Sequence, residues 1–335
     1  MRIFRTADVS FFFCGLRAIF EASEKNKIMT ITAFHGMKPG SQFIFAAFII
    51  LLSFLVVFAL SVAVLVPIVG LSEMMSSLSG GDPSSPQTIA LLKYFQVVQS
   101  IGLFVVPSFV LAYLFEGGVL AYLVLDKKVG GHSIVIGLLA VLAAGPVVGF
   151  LGEWNESMQL PEFLAGFESW MRGMEDSAAE LIERFIRVET LWGLLFNLFM
   201  IAVIPAVGEE LLFRGVIQKI FTDMTRNYHW GIWISAFLFS ALHMQFFGFL
   251  PRMFLGALFG YLLIYSGSMW LPILAHFMNN ALGVLALHAE NKGSETMDSV
   301  NRYADSMSAS AVMAILSLTV SLVLLYFLKK RSALN

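Results

Sequence analysis

The sequence is poor in charge. Only 13% of its 335 residues are Asp, Glu, Lys or Arg, against about 25% in a soluble globular domain. Cysteine is almost absent. The single Cys14 excludes an intramolecular disulfide and any cysteine-based zinc cluster. No basic patch interleaved with aromatics occurs, so no nucleic-acid partner is expected. No internal repeat is visible, which removes the inverted-repeat signature of secondary transporters. The start of the chain lacks an uninterrupted apolar run followed by a small-residue cleavage site. Its segment 10–20, SFFFCGLRAIF, is broken by Arg17. It reads as an interfacial amphipathic helix, or as the product of an early start site with Met29 as the alternative initiator.

What is abundant is apolar sequence. Hydrophobic residues make up 58% of the chain, 32 of them Phe, and the mean hydropathy is +0.80. These values predict an all-α polytopic membrane protein. A membrane helix needs about 20 mostly apolar residues. Eight such runs occur, at roughly 43–69, 97–117, 133–152, 190–210, 230–248, 252–268, 270–288 and 310–328. Basic residues alternate between their connections, with Lys127 and Lys128, then Arg214, Lys219 and Arg226, then Lys329, Lys330 and Arg331 on one side. The loop SEMMSSLSGGDPSSPQT carries none. By the positive-inside rule both termini are cytoplasmic, and a bacterial inner membrane is the expected location. The stretch 153–189 fits poorly. It should lie outside, yet it holds Arg172, Arg184 and Arg187. Its apolar spacing (Leu181, Ile182, Phe185, Ile186) predicts amphipathic helix on the outer surface.

The chain therefore divides into a cytoplasmic segment 1–42, helices one to three over 43–152, an extracytoplasmic amphipathic segment 153–189, a core of helices four to seven over 190–290, and an external loop, helix eight and basic tail over 291–335. Gly256 and Gly260 form a small-xxx-small pair suited to close helix packing.

A charged group inside a membrane helix is costly, about 2.5–3.5 kcal/mol on the insertion scale, and such groups face a bundle interior or a cavity. In the sequence VGEELLFRG, Glu210 and Arg214 stand four apart on one helix face and can pair. Glu209 lies about 100° round and keeps its acceptor capacity. Pro205, four residues earlier, lacks an N–H and frees the carbonyl of Ile201. Phe239 and His243 share a face of the next helix. His276 and Asn280 share a face of helix seven. One carboxylate, two imidazoles and a carboxamide thus arrive from three helices, and each is expensive to bury alone.

The three patterns E-E-x-x-x-R, F-x-x-x-H and H-x-x-x-N, in that order, resemble the CPBP intramembrane proteases. That family includes the type II CAAX prenyl endopeptidases and bacterial Abi or bacteriocin-processing relatives. The resemblance covers roughly 186–290, and the eight-helix layout is similar too. It implies hydrolysis of a peptide bond in or at the membrane, with membrane lipids and a peptide or protein substrate, prenylated or not, as partners. It implies Glu209, His243, His276 and Asn280 as catalytic residues, with Glu210, Arg214 and Phe239 in support. Two mechanisms follow. In one, Glu209 is general base to a water held by His243, while His276 and Asn280 face the oxyanion. In the other, His243, His276 and Glu209 hold Zn²⁺ and the base falls to Glu210; no H-E-x-x-H is present. The water mechanism is preferred and no cofactor is firmly implied. A helix four ending near 210 would put Glu209 at the cytoplasmic face, out of level with His243, and the cavity is expected to open to the cytoplasm. The rival readings are a proton- or ion-coupled transporter and a non-catalytic scaffold or immunity protein of the same fold.

Overall fold

The computed structural model describes residues 34–79, 82, 85–293 and 311–332. The segment 10–20, Cys14 and Met29 lie outside them. Every element among the described residues is helical. α1 is Pro39–Val69, followed by the short α2, Leu71–Leu78. α3 runs Pro86–Glu116, and α4 is the single turn Val119–Tyr122. α5 is Gly131–Glu156 and α6 is Ala165–Ile186. α7 runs Leu191–Thr225 and α8 Tyr228–Ala241. α9 is Phe249–Ser266, α10 Trp270–Asn291 and α11 Ala311–Ser332. Among the described residues seven helices are long and apolar enough to cross a membrane: α1, α3, α5, α7, α9, α10 and α11. The chain is an integral membrane protein of all-α class.

Three helices differ from their predicted extents, each for a physical reason. α3 begins eleven residues before the expected 97, because Ser85 caps it by accepting the Thr88 N–H at 3.1 Å and Pro86 opens the first turn. Hydropathy missed these first two turns because they and the residue after them carry Gln87 and Lys93. Lys93 is partly buried and held by protein: its Nζ donates to the Phe185 carbonyl at 2.9 Å and to Asn197 Oδ1 at 2.8 Å.

α7 does not stop near 210 but continues to Thr225, 35 residues in all, roughly 52 Å. α8 is 14 residues rather than a span over 230–248. It is only about 21 Å long, short of the ~30 Å hydrocarbon layer. The turn after it, 242–248, therefore falls within membrane depth. There, unpaired backbone is tolerated only where protein covers it, and the turn's polar groups are indeed engaged. Phe247 N–H donates to Glu175 Oε2 at 3.1 Å. Asn155 donates to the Phe246 carbonyl at 3.0 Å and accepts the Leu250 N–H at 2.7 Å. Arg252 donates to the Gln245 carbonyl at 3.3 Å. A left-handed Met244, φ 54°, turns the chain.

The partner of that turn is α6. Phe167 and Trp170 set their rings 6.2 and 5.7 Å from the Phe246 ring, and the Arg172 guanidinium stands 4.1 Å over the Phe247 ring. α6 is thus a strap docked on the core. The arginines that disturbed the charge alternation are each paired one turn back along α6 or its C-terminal end: Arg172 with Glu168 at 2.8 Å, Arg184 with Glu180 at 2.5 Å, and Arg187 with Glu183. Glu168 also accepts the Leu160 N–H at 2.8 Å. That backbone bond, with Arg172, holds its carboxyl below the usual range.

α7, α8 and α9 pack closely because their contact surfaces are small. A Cβ on Gly260 would stand 2.7 Å from Gln218 Oε1 and 2.9 Å from Ile232. A Cβ on Gly256 would meet Ala236 at 3.2 Å. The predicted Gly256–Gly260 stripe is a packing surface, seated on α8. The outer wall is apolar and bare, with Phe48, Leu55 and Leu60 of α1 and Ile315 and Leu322 of α11 exposed.

Candidate active site

Pro205 shapes the centre of α7. The residues before it, Leu198–Val203, form a π-helical turn, and a second π turn follows at Phe213–Ile217. The carbonyl released at Ile201 is taken by Asn280, whose Nδ2 donates to it at 3.3 Å. So the proline that weakens α7 also creates the docking point for α10. Between the two π turns sits the pair Glu209–Glu210.

Glu210 is fully buried. Its Oε1 lies 3.1 Å from Arg214 Nη1 and 2.8 Å from His276 Nδ1. Arg214 in turn donates from Nη2 to the Gly256 carbonyl at 3.0 Å, and its guanidinium lies 4.7 Å over the Phe239 ring. The expected Glu210–Arg214 pair is present. The bond from Glu210 to His276 was not expected, because i,i+4 spacing reports only on one helix. Glu209 is free of Arg214 and turns to the other ring nitrogen of His276: Oε2 to Nε2 is 3.8 Å. The two adjacent glutamates thus flank one imidazole, which also stacks on Phe259 at 5.0 Å.

His243 falls two residues past the end of α8. Its Nδ1 contacts the Phe239 carbonyl at 2.7 Å. A carbonyl can only accept, so Nδ1 carries the proton and Nε2 keeps its lone pair. The Phe239 ring lies 4.9 Å from the His243 ring and 6.2 Å from that of His276. Phe239 therefore spaces the two histidines while packing on Arg214. Asn280, one turn after His276, keeps one Nδ2 hydrogen beyond its bond to Ile201.

The depth mismatch read from the sequence disappears. Glu209 is 16 residues before the end of α7 at Thr225, and His243 is 15 residues after the start of α8 at Tyr228, both about 23 Å from the turn between the two helices. His276 reaches this level because α10 starts inside the protein. Ser268 and Met269 are fully buried. Met269 N–H donates to Val124 O at 3.1 Å and Ser268 Oγ to Lys127 O at 2.6 Å. A cleft of about 320 Å³ beside the His243 turn is lined by Glu156, Arg172, Glu175, Phe247 and Gly248. It lies at the end of the bundle away from the 225–228 turn, and Glu209, His243, His276 and Asn280 are not among its lining residues.

The donor set suits a zinc ion poorly. Among the described residues no three His, Cys, Asp or Glu side chains gather at metal-binding spacing, and His276 Nδ1 is already held by Glu210.

Residues 191–282 match the Type II CAAX prenyl endopeptidase Rce1-like family. The matched stretch opens with α7 and closes two residues after Asn280, so it holds Glu209, Glu210, Arg214, Phe239, His243, His276 and Asn280. Two curated relatives match part of the chain. "Uncharacterized protein YpbD" of Bacillus subtilis (strain 168) is 26% identical over 99 residues, 28% of this chain and 48% of that protein. "Uncharacterized 24.3 kDa protein" of Escherichia coli is 33% identical over 98 residues, 27% of this chain and 44% of that protein. The chain spans less than half the length of these relatives. No solved structure matches. Lys93, Asn155 and Glu175, which sequence reasoning passed over, lie outside the matched stretch; their only signal is polarity in or beside an apolar run.

Proposed function

We propose that the chain is an intramembrane endopeptidase of the CAAX-protease type, with a water activated by Glu209 as nucleophile. The observation that carries the reading is the buried Glu209–His276–Glu210 arrangement within the Rce1-like stretch. Buried ionisable groups at membrane depth mark functional sites, and here only Glu210 is neutralised by an arginine.

Glu209 accepts a proton from water, and the resulting hydroxide attacks the scissile carbonyl carbon. His243 Nε2 accepts the water's other O–H and fixes its lone pair toward that carbon. Charge develops on the carbonyl oxygen, which faces His276 Nε2–H and the remaining Nδ2–H of Asn280, the electrostatic role that often dominates such reactions. The contact of His276 Nδ1 with Glu210 Oε1 at 2.8 Å orients the ring for this role. Glu209 returns its proton to the amide nitrogen as the C–N bond breaks, leaving a new carboxyl and a free amine. Arg214 and Phe239 act through others: Arg214 holds Glu210, and Phe239 holds the spacing of the two imidazoles.

The test is cleavage by detergent-purified protein of fluorogenic peptides, prenylated and unprenylated, each with and without a zinc chelator. Cleavage that persists with chelator is expected. Inertness toward the whole panel contradicts a peptidase, and loss of activity with chelator contradicts the water mechanism.

A further inference from the structure

The two halves of α6 face opposite ways. Phe163, Phe167, Trp170 and Met174 follow at helical spacing from the turn before α6 into its first half, and all four are exposed. From 163 to 174 every exposed residue is uncharged. The three charged side chains of this stretch, Glu168, Arg172 and Glu175, are partly covered. Arg172 pairs with Glu168 and stands over the Phe247 ring, and Glu175 accepts the Phe247 N–H. The second half is the reverse: Phe185 and Ile186 are buried, while Asp176, Glu180, Glu183 and Arg187 are exposed. A helix on the watered surface of a protein keeps its polar face outward. Only the second half of α6 does so.

Depth says what covers the first half. α8 is about 9 Å shorter than the hydrocarbon layer, so the turn after it lies within the membrane. The first half of α6 is docked on that turn, at Phe246 and Phe247, and shares its depth. Tryptophan marks the same level. Trp154 in the last turn of α5, Trp170, and Trp192 in the first turn of α7 are all exposed at this end of the bundle, and tryptophans collect at the boundary of a bilayer. Exposed acids bound the apolar stretch, Glu162 before it and Asp176 after it.

We infer that residues 163–174 seat α6 in the leaflet on the side of the 157–190 connection, with acyl chains against the Phe163–Met174 stripe and the charged face held on the turn that carries His243. Lifting α6 off the turn would draw that stripe out of lipid, which is unfavourable. The bilayer is therefore a structural partner of the turn. The inference does not depend on the peptidase reading.

The test uses the full chain in phospholipid nanodiscs, in a Cys14→Ser background, with a nitroxide attached at Phe163→Cys, Met174→Cys, Glu180→Cys or Glu183→Cys. Power saturation reads collision with oxygen, which concentrates in lipid, and with a water-soluble nickel chelate. Oxygen is expected to dominate at 163 and 174, and nickel at 180 and 183. Nickel dominating at 163 and 174 overturns the inference. Low collision with both reagents there is the mark of a second copy or another protein on the stripe, and overturns it too. The link to the turn is read by hydrogen exchange at 243–248 in the same nanodiscs. Phe163 is 85% exposed, so its replacement removes little packing within the protein. Phe163→Asp is expected to raise that exchange by about 10-fold or more, the scale of one seated aromatic side chain, and Phe163→Leu to keep the parent rate. Exchange unchanged in Phe163→Asp overturns the inference.

Discussion

At the scale of single residues, Glu209 and Glu210 are chemically identical neighbours in different surroundings. Glu210 is walled in by Arg214 and His276, and its Oε2 has no hydrogen-bond partner among the described residues. Removing one partner of a buried ion pair strands the other charge and costs about 3–5 kcal/mol. Arg214→Met is therefore expected to lower the melting temperature sharply and to abolish activity. Glu209→Gln is expected to spare stability, since Glu209 has no arginine partner to strand and its contact with His276 Nε2 is a longer 3.8 Å. Differential scanning fluorimetry of the two variants checks the contrast, and equal destabilisation of both counts against this division. The Glu210–Arg214 pairing was legible in the sequence, because a 100° step separates adjacent residues and only Glu210 shares a face with Arg214. The Glu210–His276 bond was not, because it joins residues 66 apart on different helices. Nor was the Asn280–Ile201 bond, although Pro205 announced a carbonyl in need of a donor.

At the scale of elements, the account depends on how α7, α8 and α9 touch, and on what holds the turn after α8. A Cβ on Gly231 would lie 2.0 Å from Thr222 Oγ1 and 2.8 Å from the Gln218 carbonyl. Backbone cannot yield as a side-chain tip can, so Gly231→Ala is expected to cost about 1–3 kcal/mol. Urea or thermal unfolding in detergent reads this, and parent-like stability contradicts the packing. Asn155 bonds both sides of the turn, to Phe246 and Leu250. Asn155→Leu removes the donor and the acceptor together at membrane depth, and is expected to lower kcat with a smaller change in overall melting temperature. Hydrogen exchange at Phe247–Leu250 should rise in parallel; unchanged exchange contradicts the role given to Asn155. These features explain why helix extents were harder to read than helix existence. Hydropathy placed every rod, but polar residues satisfied by distant partners, such as Lys93, masked the true start of α3. The apolar run to 248 masked the early end of α8.

At the scale of the whole molecule, an even number of helical rods with one short member puts its loops in two sets. In a Cys14→Ser background, cysteines at Lys128, Arg226 and Lys330 are expected to react with an impermeant maleimide from one side, and a cysteine at Glu180 from the other. Reaction of Glu180→Cys on the same side as Arg226→Cys contradicts the arrangement. On this arrangement the cleft by Gly248 and the docked α6 lie at the end away from the basic turns. Charge alternation is the basis for the two sets, and the labelling experiment tests it.

The central claim is that Glu209 activates the attacking water, and one comparison tests it most directly: single-turnover cleavage of the best peptide by the parent and by Glu209→Gln, with matched melting temperatures. Loss of a general base lowers the rate by about 10²–10⁴-fold, and a fall in that range with unchanged peptide affinity is the expected result. A Glu209→Gln protein that folds normally and cleaves at the parent rate contradicts the account.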